Sequence, residues 1–554
     1  MRGLLKNNAN KRLMTSTILT TENAEWINFN WKAIENRVKF LRFRIFNASK
    51  RKDFLTARHL QELMLNSSAN ILLSIRRITA LNQNVTGIDK IRTHLVHNLM
   101  TMDFSNYFPI NYQNLTIPKT QRKQKILRIH ILKDHCIQMI IKNALEPQWE
   151  AYFEDNVYGN RPGRCSHDAI NHLTQILRKY PSKKWIVQSN FNECLESLNG
   201  QIILKRLANF PRVDLIFKWI KADYLSSHLY RALEAKLPQS NIITALLGNI
   251  ALDEMDKIIK KNYSETTSRH FYVRYDDVMV LFCETKDEAC KARELIIKWA
   301  KNINIKSSSE NFSIEHITQG FNFLGVHIIP QVLDNITISI YPNQKAIQDL
   351  RSILKAIWMR GRGKDVQWVL NRLNPRIREW CNYYSFYKST IIFKEIDNWM
   401  FQRSVRYCKR THPNKSWAWM QQKYFGRFNA KKSSKWIFGD KESGKYLLRL
   451  TWTPVRQYIP IQIQASPDNI LYQNYWSKRN SSGITNNRLW NISDFKIAHK
   501  QNHLCPICNS SLYNNEPIEK HRIIVKKSSK RLYSFSMIFV HVICYECVKL
   551  KSIY

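Results

Sequence analysis

Tyr158-Gly159-Asn160-Arg161-Pro162-Gly163-Arg164-Cys165-Ser166-His167-Asp168-Ala169-Ile170 decides the reading of this chain. Gly159, Pro162 and Gly163 specify a tight turn, because glycine reaches backbone conformations closed to other residues and proline fixes φ. A helix is expected to follow. Arg161 and Arg164 on such a turn can hold a backbone phosphate or a template strand. The same residues also read as a structural turn with surface arginines, and local composition does not separate the two.

The surroundings narrow the choice. A chain of 554 residues is expected to hold two to four domains. Its apolar fraction of 44%, with 16 Trp, 24 Tyr and 25 Phe, is ample for sizeable cores. Lys and Arg total 86 against 43 Asp and Glu, a net charge of +43. Such a surplus repels itself unless a polyanion screens it. Nucleic acid is the expected partner, since neutralising phosphates releases bound counterions; lipid headgroups are the alternative. No stretch approaches the ~18 apolar residues of a membrane span, so no membrane partner is expected. The 11 cysteines are an odd count without regular spacing, which argues against a disulfide framework. The first 21 residues carry Arg2, Lys6, Lys11 and Arg12 and no acid, as in an import peptide or a disordered basic start. Abundant Ile, Asn and Lys with only 14 Gly suggest an AT-rich genome and an organelle-encoded protein.

Along the chain, Trp31, Ile34, Val38, Leu41 and Ile45 recur at helical spacing within 22–75. Arg37, Lys39, Arg42 and Arg44 share that segment, as a solvated basic face or an RNA-contacting arm. Ile186-Val187 and Phe271–Phe282 read as strands, the second broken at Asp276-Asp277. Residues 345–425 are helical and rich in Arg, Lys, Trp and Tyr. The polar stretch 477–500 reads as a linker.

The block at 158–170 resembles the YGFRPGRSAHDAI motif of group II intron-encoded reverse transcriptase/maturases. The resemblance continues in order along the chain. Ile117-Pro118-Lys119 and Leu145-Glu146-Pro147 resemble the family's first polymerase block. Pro238-Gln239 with Leu246-Leu247-Gly248-Asn249-Ile250-Ala251-Leu252 resembles PQGG…LLANIAL. Val273-Arg274-Tyr275-Asp276-Asp277 stands where the family has VRYADD, and Gly320-Phe321-Asn322-Phe323-Leu324-Gly325 resembles GFDFLG. Asn374-Pro375-Arg376-Ile377-Arg378-Glu379-Trp380, His412-Pro413-Asn414-Lys415-Ser416, Trp436-Ile437-Phe438-Gly439-Asp440 and Thr453-Pro454-Val455-Arg456 resemble its maturase region.

The resemblance implies an α+β chain: right-hand polymerase fingers/palm, a helical thumb/maturase domain and a small C-terminal Cys-rich HNH-like domain. The expected boundaries are an N-terminal helical basic arm at 1–100, fingers/palm at 101–340, thumb/maturase at 341–475 and a degenerate HNH-like zinc domain at 476–554. It also implies a splicing role on a group II intron RNA. Family polymerases hold two Mg²⁺ ions with three aspartates, hard anionic ligands suited to that metal. Here Asn190 stands where the first aspartate belongs, and an amide oxygen cannot offset the metal's charge. An ungapped reading of the YADD turn puts Asp276 on the Ala, Asp277 on the first Asp and Val278 on the second. A one-residue deletion would keep both aspartates. The ungapped reading is preferred because it keeps Cys283-Glu284-Thr285 in register. Ser240-Asn241 replace the family's glycine pair, and Arg128 and His130 depart from its RPLGIP run. Polymerase chemistry and its catalytic Mg²⁺ are therefore expected to be lost, with an active polymerase and mobility protein, or a non-functional remnant, as alternatives.

The maturase region is better kept. Arg376, Arg378 and Lys415, with Tyr383 and Tyr384, are the expected RNA contacts there, beside Arg161 and Arg164. Rings stack on unpaired bases and cations meet phosphates; the same aromatics also read as thumb core. Near the C-terminus, Cys505-Pro506-Ile507-Cys508 and Cys544-Tyr545-Glu546-Cys547 suggest a tetrahedral zinc site, with free or degenerate thiols as the alternative because the gap between the pairs exceeds that of common zinc ribbons. Glu516-Pro517-Ile518-Glu519-Lys520-His521-Arg522 resembles the EPIELHH of HNH endonucleases. His521 remains as a nuclease remnant, but Arg522 fills the general-base position and cannot accept a proton at neutral pH. His541 reads as a leftover ligand or a core histidine, the latter preferred. The composition and resemblance together point to an organelle, plastid (chloroplast) over mitochondrion.

Overall fold

The computed structural model describes residues 29–81, 88–104, 107–109, 121–190, 200–221, 242–263, 271–302, 312–332, 336–429, 434–481, 484–485, 488–489, 492–513, 516, 518–526 and 533–541. Helix α1 (Trp31–Lys50) starts where the Asn30 side chain accepts the Ala33 N–H. It buries Trp31, Val38, Leu41 and Ile45, the helical stripe read from sequence. Helices α2 (Phe54–Leu65), α3 (Ser68–Leu81), α4 (Ile88–Thr101) and the long α5 (Gln121–Glu150) pack with it around one core. Arg42 leaves the basic face of α1 to pair with Glu146 at 2.8 Å and Asp468 at 2.6 Å. That cation is therefore structural and not part of an RNA-contacting arm.

After the 158–165 turn, α6 (Ser166–Lys179) leads into strand β1 (Trp185–Asn190). Helices α7 (Gly200–Arg206) and α8 (Val213–Lys221) add Ile203, Leu215 and Trp219 to the N-terminal core. Helix α9 (Thr244–Tyr263) precedes the hairpin β2 (Tyr272–Tyr275) and β3 (Val278–Cys283). Helix α10 (Lys286–Asn302) and β4 (Phe312–His316) complete a sheet of order β2-β3-β1-β4. Both of its faces are covered. Ile186, Val273, Val280 and Phe282 join one core, with α6, and Val187, Tyr272, Met279 and Leu281 join the other, with α9 and α10. Side chains alternate across a strand, so a sheet covered twice needs the near-continuous apolar run seen in β3.

A second sheet, β5 (Phe321–Phe323), β6 (Val326–Val332) and β7 (Ile336–Pro342), hands over to the thumb helices. These are α11 (Gln344–Arg360), α12 (Val366–Tyr384), α13 (Thr390–Thr411) and α14 (Trp417–Tyr424), with the short pair β8 (Phe425–Gly426) and β9 (Ile437–Phe438). The stretch expected as a linker is not one. Helices α15 (Gln473–Ser481) and α16 (Ile492–Lys500) occupy most of it, around the small pair β10 (Ile484–Thr485) and β11 (Arg488–Leu489). Arg479 of α15 is buried, donating to the Ile459 and Pro460 carbonyls at 3.0 and 3.1 Å. A final hairpin, β12 (Ile518–Lys526) and β13 (Tyr533–His541), packs with Cys505 and Leu512 against Ala80 of α3.

One buried cation holds the palm hairpin in place. Arg274 is fully buried; it pairs with Asp256 at 2.7 Å, donates to Asn249 Oδ1 at 2.8 Å and to the Asp276 carbonyl at 2.7 Å. Removing it would leave the Asp256 charge buried and unmatched. Arg274→Ala is expected to cost about 3–5 kcal/mol in urea unfolding; a loss below about 1 kcal/mol would show that the pair does not anchor the hairpin.

Candidate functional site

The 158–170 turn is built against the palm hairpin. Tyr158 N–H donates to the Arg274 carbonyl at 2.8 Å, and Arg274 N–H returns to Asn156 at 3.1 Å. Asn249 Nδ2 donates to the Gly159 carbonyl at 2.9 Å. A Cβ on Gly159 would lie 2.1 Å from the Asp276 nitrogen, so only glycine allows this approach. Asn160 Nδ2 donates to Asp276 Oδ1 at 2.6 Å.

Neither arginine of the turn is offered to a nucleic acid. Arg161 is buried and forks onto Glu150 of α5, Nε to Oε2 at 2.9 Å and Nη2 to Oε1 at 3.0 Å. Its Nη1 donates to the Glu154 and Val157 carbonyls. Arg164, also buried, donates to the carbonyls of Asp155, Val157 and Ile463. Their expected role as RNA contacts is corrected: the turn is structural, and its guanidiniums satisfy carbonyls that leave the regular elements.

The hairpin tip is a four-residue turn closed by the Tyr275–Val278 pair, with Asp276 at φ 51°. Asp276 and Asp277 are its two central residues, and Val278 opens β3. The Asn190 backbone pairs with Val278, directly beside the tip. The Asn190 side chain lies outside the described residues. Asp276 and Asp277 are thus the carboxylates at the tip, and Asp276 is engaged by Asn160. Burial raises the Asp276 carboxyl to about 6, with the Asn160 hydrogen bond opposing and the Asp277 charge adding. Burial also raises Asp277. Among the described residues, no set of three potential metal ligands converges here.

The expected maturase contacts divide. Arg376, Arg378 and Lys415 are exposed. Arg376 meets Glu379 at 3.2 Å, and Lys415 lies 5.6 Å from the Trp419 ring centroid. Tyr383 and Tyr384 instead face inward: their hydroxyls donate to the Leu324 and Gly325 carbonyls at 2.8 and 3.0 Å. Tyr383 also packs on His167, centroids 4.6 Å apart. These rings hold α12 to the β5–β6 turn and are corrected from RNA stackers to core. Two aromatics not singled out from sequence are exposed and parallel: Trp417 and Trp436, centroids 6.5 Å apart at 6°. Their separation of nearly twenty residues hid the pairing.

In the C-terminal unit, Cys505, Cys508 and His541 bring their ligand atoms within 4.8 Å of one another. Cys508 Sγ is 3.3 Å from His541 Nδ1. Tetrahedral zinc with these donors needs about 3.5 Å between sulfur and nitrogen, so the set fits the metal. His541, expected as a core histidine, is fully buried and completes the group. Cys544 and Cys547 lie outside the described residues. Glu516 of the nuclease-like motif is buried against Arg76 of α3 at 2.7 Å. His521 meets Glu519 at 3.3 Å, and the Arg522 side chain lies outside the described residues.

Known proteins match the chain in three consecutive stretches. The N-terminal domain of reverse transcriptase matches residues 26–102, reverse transcriptase (RNA-dependent DNA polymerase) 117–328, and the group II intron maturase-specific domain 347–425. Protein YkfC of Escherichia coli K12 is 25% identical over 291 residues, 46% of this chain and 76% of YkfC. Group II intron-encoded protein LtrA of Lactococcus lactis is 30% identical over 167 residues, 29% of this chain and 27% of LtrA. Maturase-like protein 1 of Euglena gracilis is 25% identical over 388 residues, 67% of this chain and 76% of that protein. Among the described residues no helix is long and apolar enough to cross a membrane.

The raised Asp276 carboxyl has a signed consequence. An unfolded Asp titrates near 3.9, so the fold disfavours the charged form. The stability this group contributes is complete below about 4 and is lost as the pH rises through about 6. Asp276→Asn is expected to stabilise the chain by about 1–2 kcal/mol at pH 7.5, reduced from the full shift by residual solvent contact, and by nothing at about pH 4. Urea unfolding at the two pH values checks this; destabilisation at neutral pH would refute it.

Proposed function

Because the chain belongs to the family of group II intron-encoded reverse transcriptase/maturase proteins, we propose that it binds a group II intron RNA and promotes its splicing, without DNA synthesis or nuclease chemistry of its own. The observation that carries this reading is the palm tip. Its carboxylates are Asp276 and Asp277, Asp276 is held by Asn160, and asparagine occupies position 190 beside them. Two-metal phosphoryl transfer needs anionic ligands on both ions, positioned against attacking and leaving oxygens. The thumb meanwhile keeps Arg376, Arg378 and Lys415 exposed, with Trp417 and Trp436 available for stacking.

In this mechanism the RNA is the catalyst. The protein lowers the free energy of the active RNA fold by binding it more tightly than the inactive folds. A hundredfold preference supplies about 2.7 kcal/mol, enough to turn a minor active conformer into the dominant one. The exposed cations meet phosphates, and the aromatic pair stacks on unpaired bases. An organelle is the proposed compartment, a plastid in particular, on the strength of the AT-biased composition.

We further propose that Cys505, Cys508 and His541 hold a structural Zn²⁺, with a fourth ligand from 542–554. The metal would staple the HNH-like unit onto α3. Arg522 in the general-base position supports a unit retained for binding and not for cleavage.

Purified full-length protein is expected to accelerate self-splicing of its host intron at near-physiological Mg²⁺ and to leave unrelated introns unaffected; no acceleration would overturn the splicing role. Primer extension on an RNA template is expected to yield no cDNA, and robust Mg²⁺-dependent synthesis would restore the polymerase reading. Elemental analysis should find one zinc per chain, lost in His541→Ala and Cys508→Ser. Zinc retained in both variants would place the metal elsewhere.

A further inference from the structure

Helix α13 carries Arg403, Arg406 and Arg410, spaced three and four residues apart, so that all project from one face. The end of α11 and the turn after it bring Arg362 to the same place. Together they line a cleft of about 230 Å³ whose apolar floor is Trp358, Met359 and Tyr407. The floor is fixed: Trp358 is buried, and the Tyr407 hydroxyl donates to the Lys364 carbonyl at 2.6 Å.

The charges in this cleft are unbalanced. Among the described residues, none of the four arginines has a carboxylate partner, and no acidic residue lines the cleft. The polar contacts of Arg362 and Arg410 are to the Met359 thioether, at 3.1 and 4.0 Å, and a thioether is a weak acceptor. Arg403 Nε is shielded from water without a hydrogen-bond partner. Burial, then Arg406 and Arg410, push the Arg403 guanidinium below its ordinary value. The nearest cap residue, Asp365, spends its carboxylate on the Trp368 N–H. Elsewhere Arg42, Arg76, Arg161 and Arg274 turn inward onto carboxylates within 3 Å, and buried Arg164 is satisfied by backbone carbonyls instead. Arg362, Arg406 and Arg410 are exposed and Arg403 is half-buried, so four guanidiniums gathered over an apolar floor with no acid among them offer an accessible, positively charged seat for an anion.

We propose that this cleft seats the sugar-phosphate backbone of an RNA strand. The proposal rests on the RNA-binding reading above and names where on the thumb the strand is gripped. Small-molecule pockets run about 300–1,000 Å³; this one is smaller, suited to a phosphate with its ribose. Successive phosphodiesters along a strand each bring a negative charge and two non-bridging acceptor oxygens, so neighbouring phosphates can share four arginines, whereas a single peptide carboxylate brings one charge and one planar pair of oxygens. The floor of Trp358 and Met359 receives the apolar side of the sugar.

The test uses full-length protein and a fluorescent oligouridylate of about twelve residues, too short to fold, titrated by anisotropy at graded KCl. Arg406→Gln/Arg410→Gln alters two exposed side chains. It is expected to weaken binding at least about tenfold near 100 mM salt and to lower the salt slope by about one to two. Arg51→Gln/Arg58→Gln removes the same charge from exposed sites on the N-terminal helices and should change little. An unaltered slope and affinity in the first variant would overturn the proposal, as would an equal loss in the second. Should the double variant melt early, Arg410→Gln alone decides by the same readout. Wild-type binding that depends on these arginines but does not stimulate splicing would sink the splicing role and leave the cleft standing. Splicing stimulation with oligouridylate binding indifferent to them would do the reverse.

Discussion

The fold depends on burying Arg161 against Glu150. A guanidinium withdrawn from water is costly unless every donor is matched, and here the fork on Glu150 and the carbonyls of Glu154 and Val157 match them. That arrangement fixes the 158–165 turn, and the turn then touches each main part of the molecule. Gly159 and Asn160 meet the palm hairpin. A Cβ on Gly163, at φ 79°, would lie 2.4 Å from the Trp476 ring of α15. Asp168 accepts from the Cys165 and Ile461 N–H groups and the Tyr458 hydroxyl, tying α6 to the segment after the thumb. His167 contacts Tyr383 and Tyr387 at the end of α12. Helical fingers, palm sheet and thumb therefore converge on one short loop.

This explains why the sequence was legible in some places and misleading in others. Periodicity and short apolar runs report where an element is buried, so α1, the strand at Ile186-Val187 and the hairpin around Asp276-Asp277 could be read directly. It does not report what a polar side chain faces. Arg161 and Arg164 look like phosphate ligands in a list of residues, because a turn with two arginines serves a buried carboxylate and a phosphate equally well. Tyr383 and Tyr384 had the same ambiguity, resolved by the Leu324 and Gly325 carbonyls that their hydroxyls reach. The stretch after 477 was polar enough to pass for a linker, yet Arg479 is an inward-facing cation. His541 gained its place from partners more than thirty residues away, a separation no local pattern spans.

The palm scaffold stands independently of the carboxylates at its tip. The hairpin is held by Arg274 beneath it and by apolar cores on both faces of the sheet, and neither depends on a bound metal. The carboxylates at the tip oppose folding, since burial disfavours the charged form of both and the Asp277 charge adds to this at Asp276. On the proposed reading, an asparagine at position 190 in place of an aspartate adds no further charge to that group, and the strand keeps its register with β3. A chain no longer required to polymerise would be expected to drift in this direction.

The disposition of arginine carries the argument further. A net charge of +43 leaves many cations unmatched within the chain. The low-dielectric interior demands partners for the inward ones, and most take acids: Arg42 with Glu146 and Asp468, Arg76 with Glu516, Arg161 with Glu150, Arg274 with Asp256, while Arg164 takes carbonyls. Those pairs join α1 to α5 and to the segment around Asp468, α3 to the C-terminal unit, the turn to α5, and β2 to α9. On α13 the same residue type clusters without acids, which is unfavourable for the isolated chain and therefore informative. Charge matching thus separates two populations of arginine that composition alone merges, one that closes the fold and one that faces a polyanion.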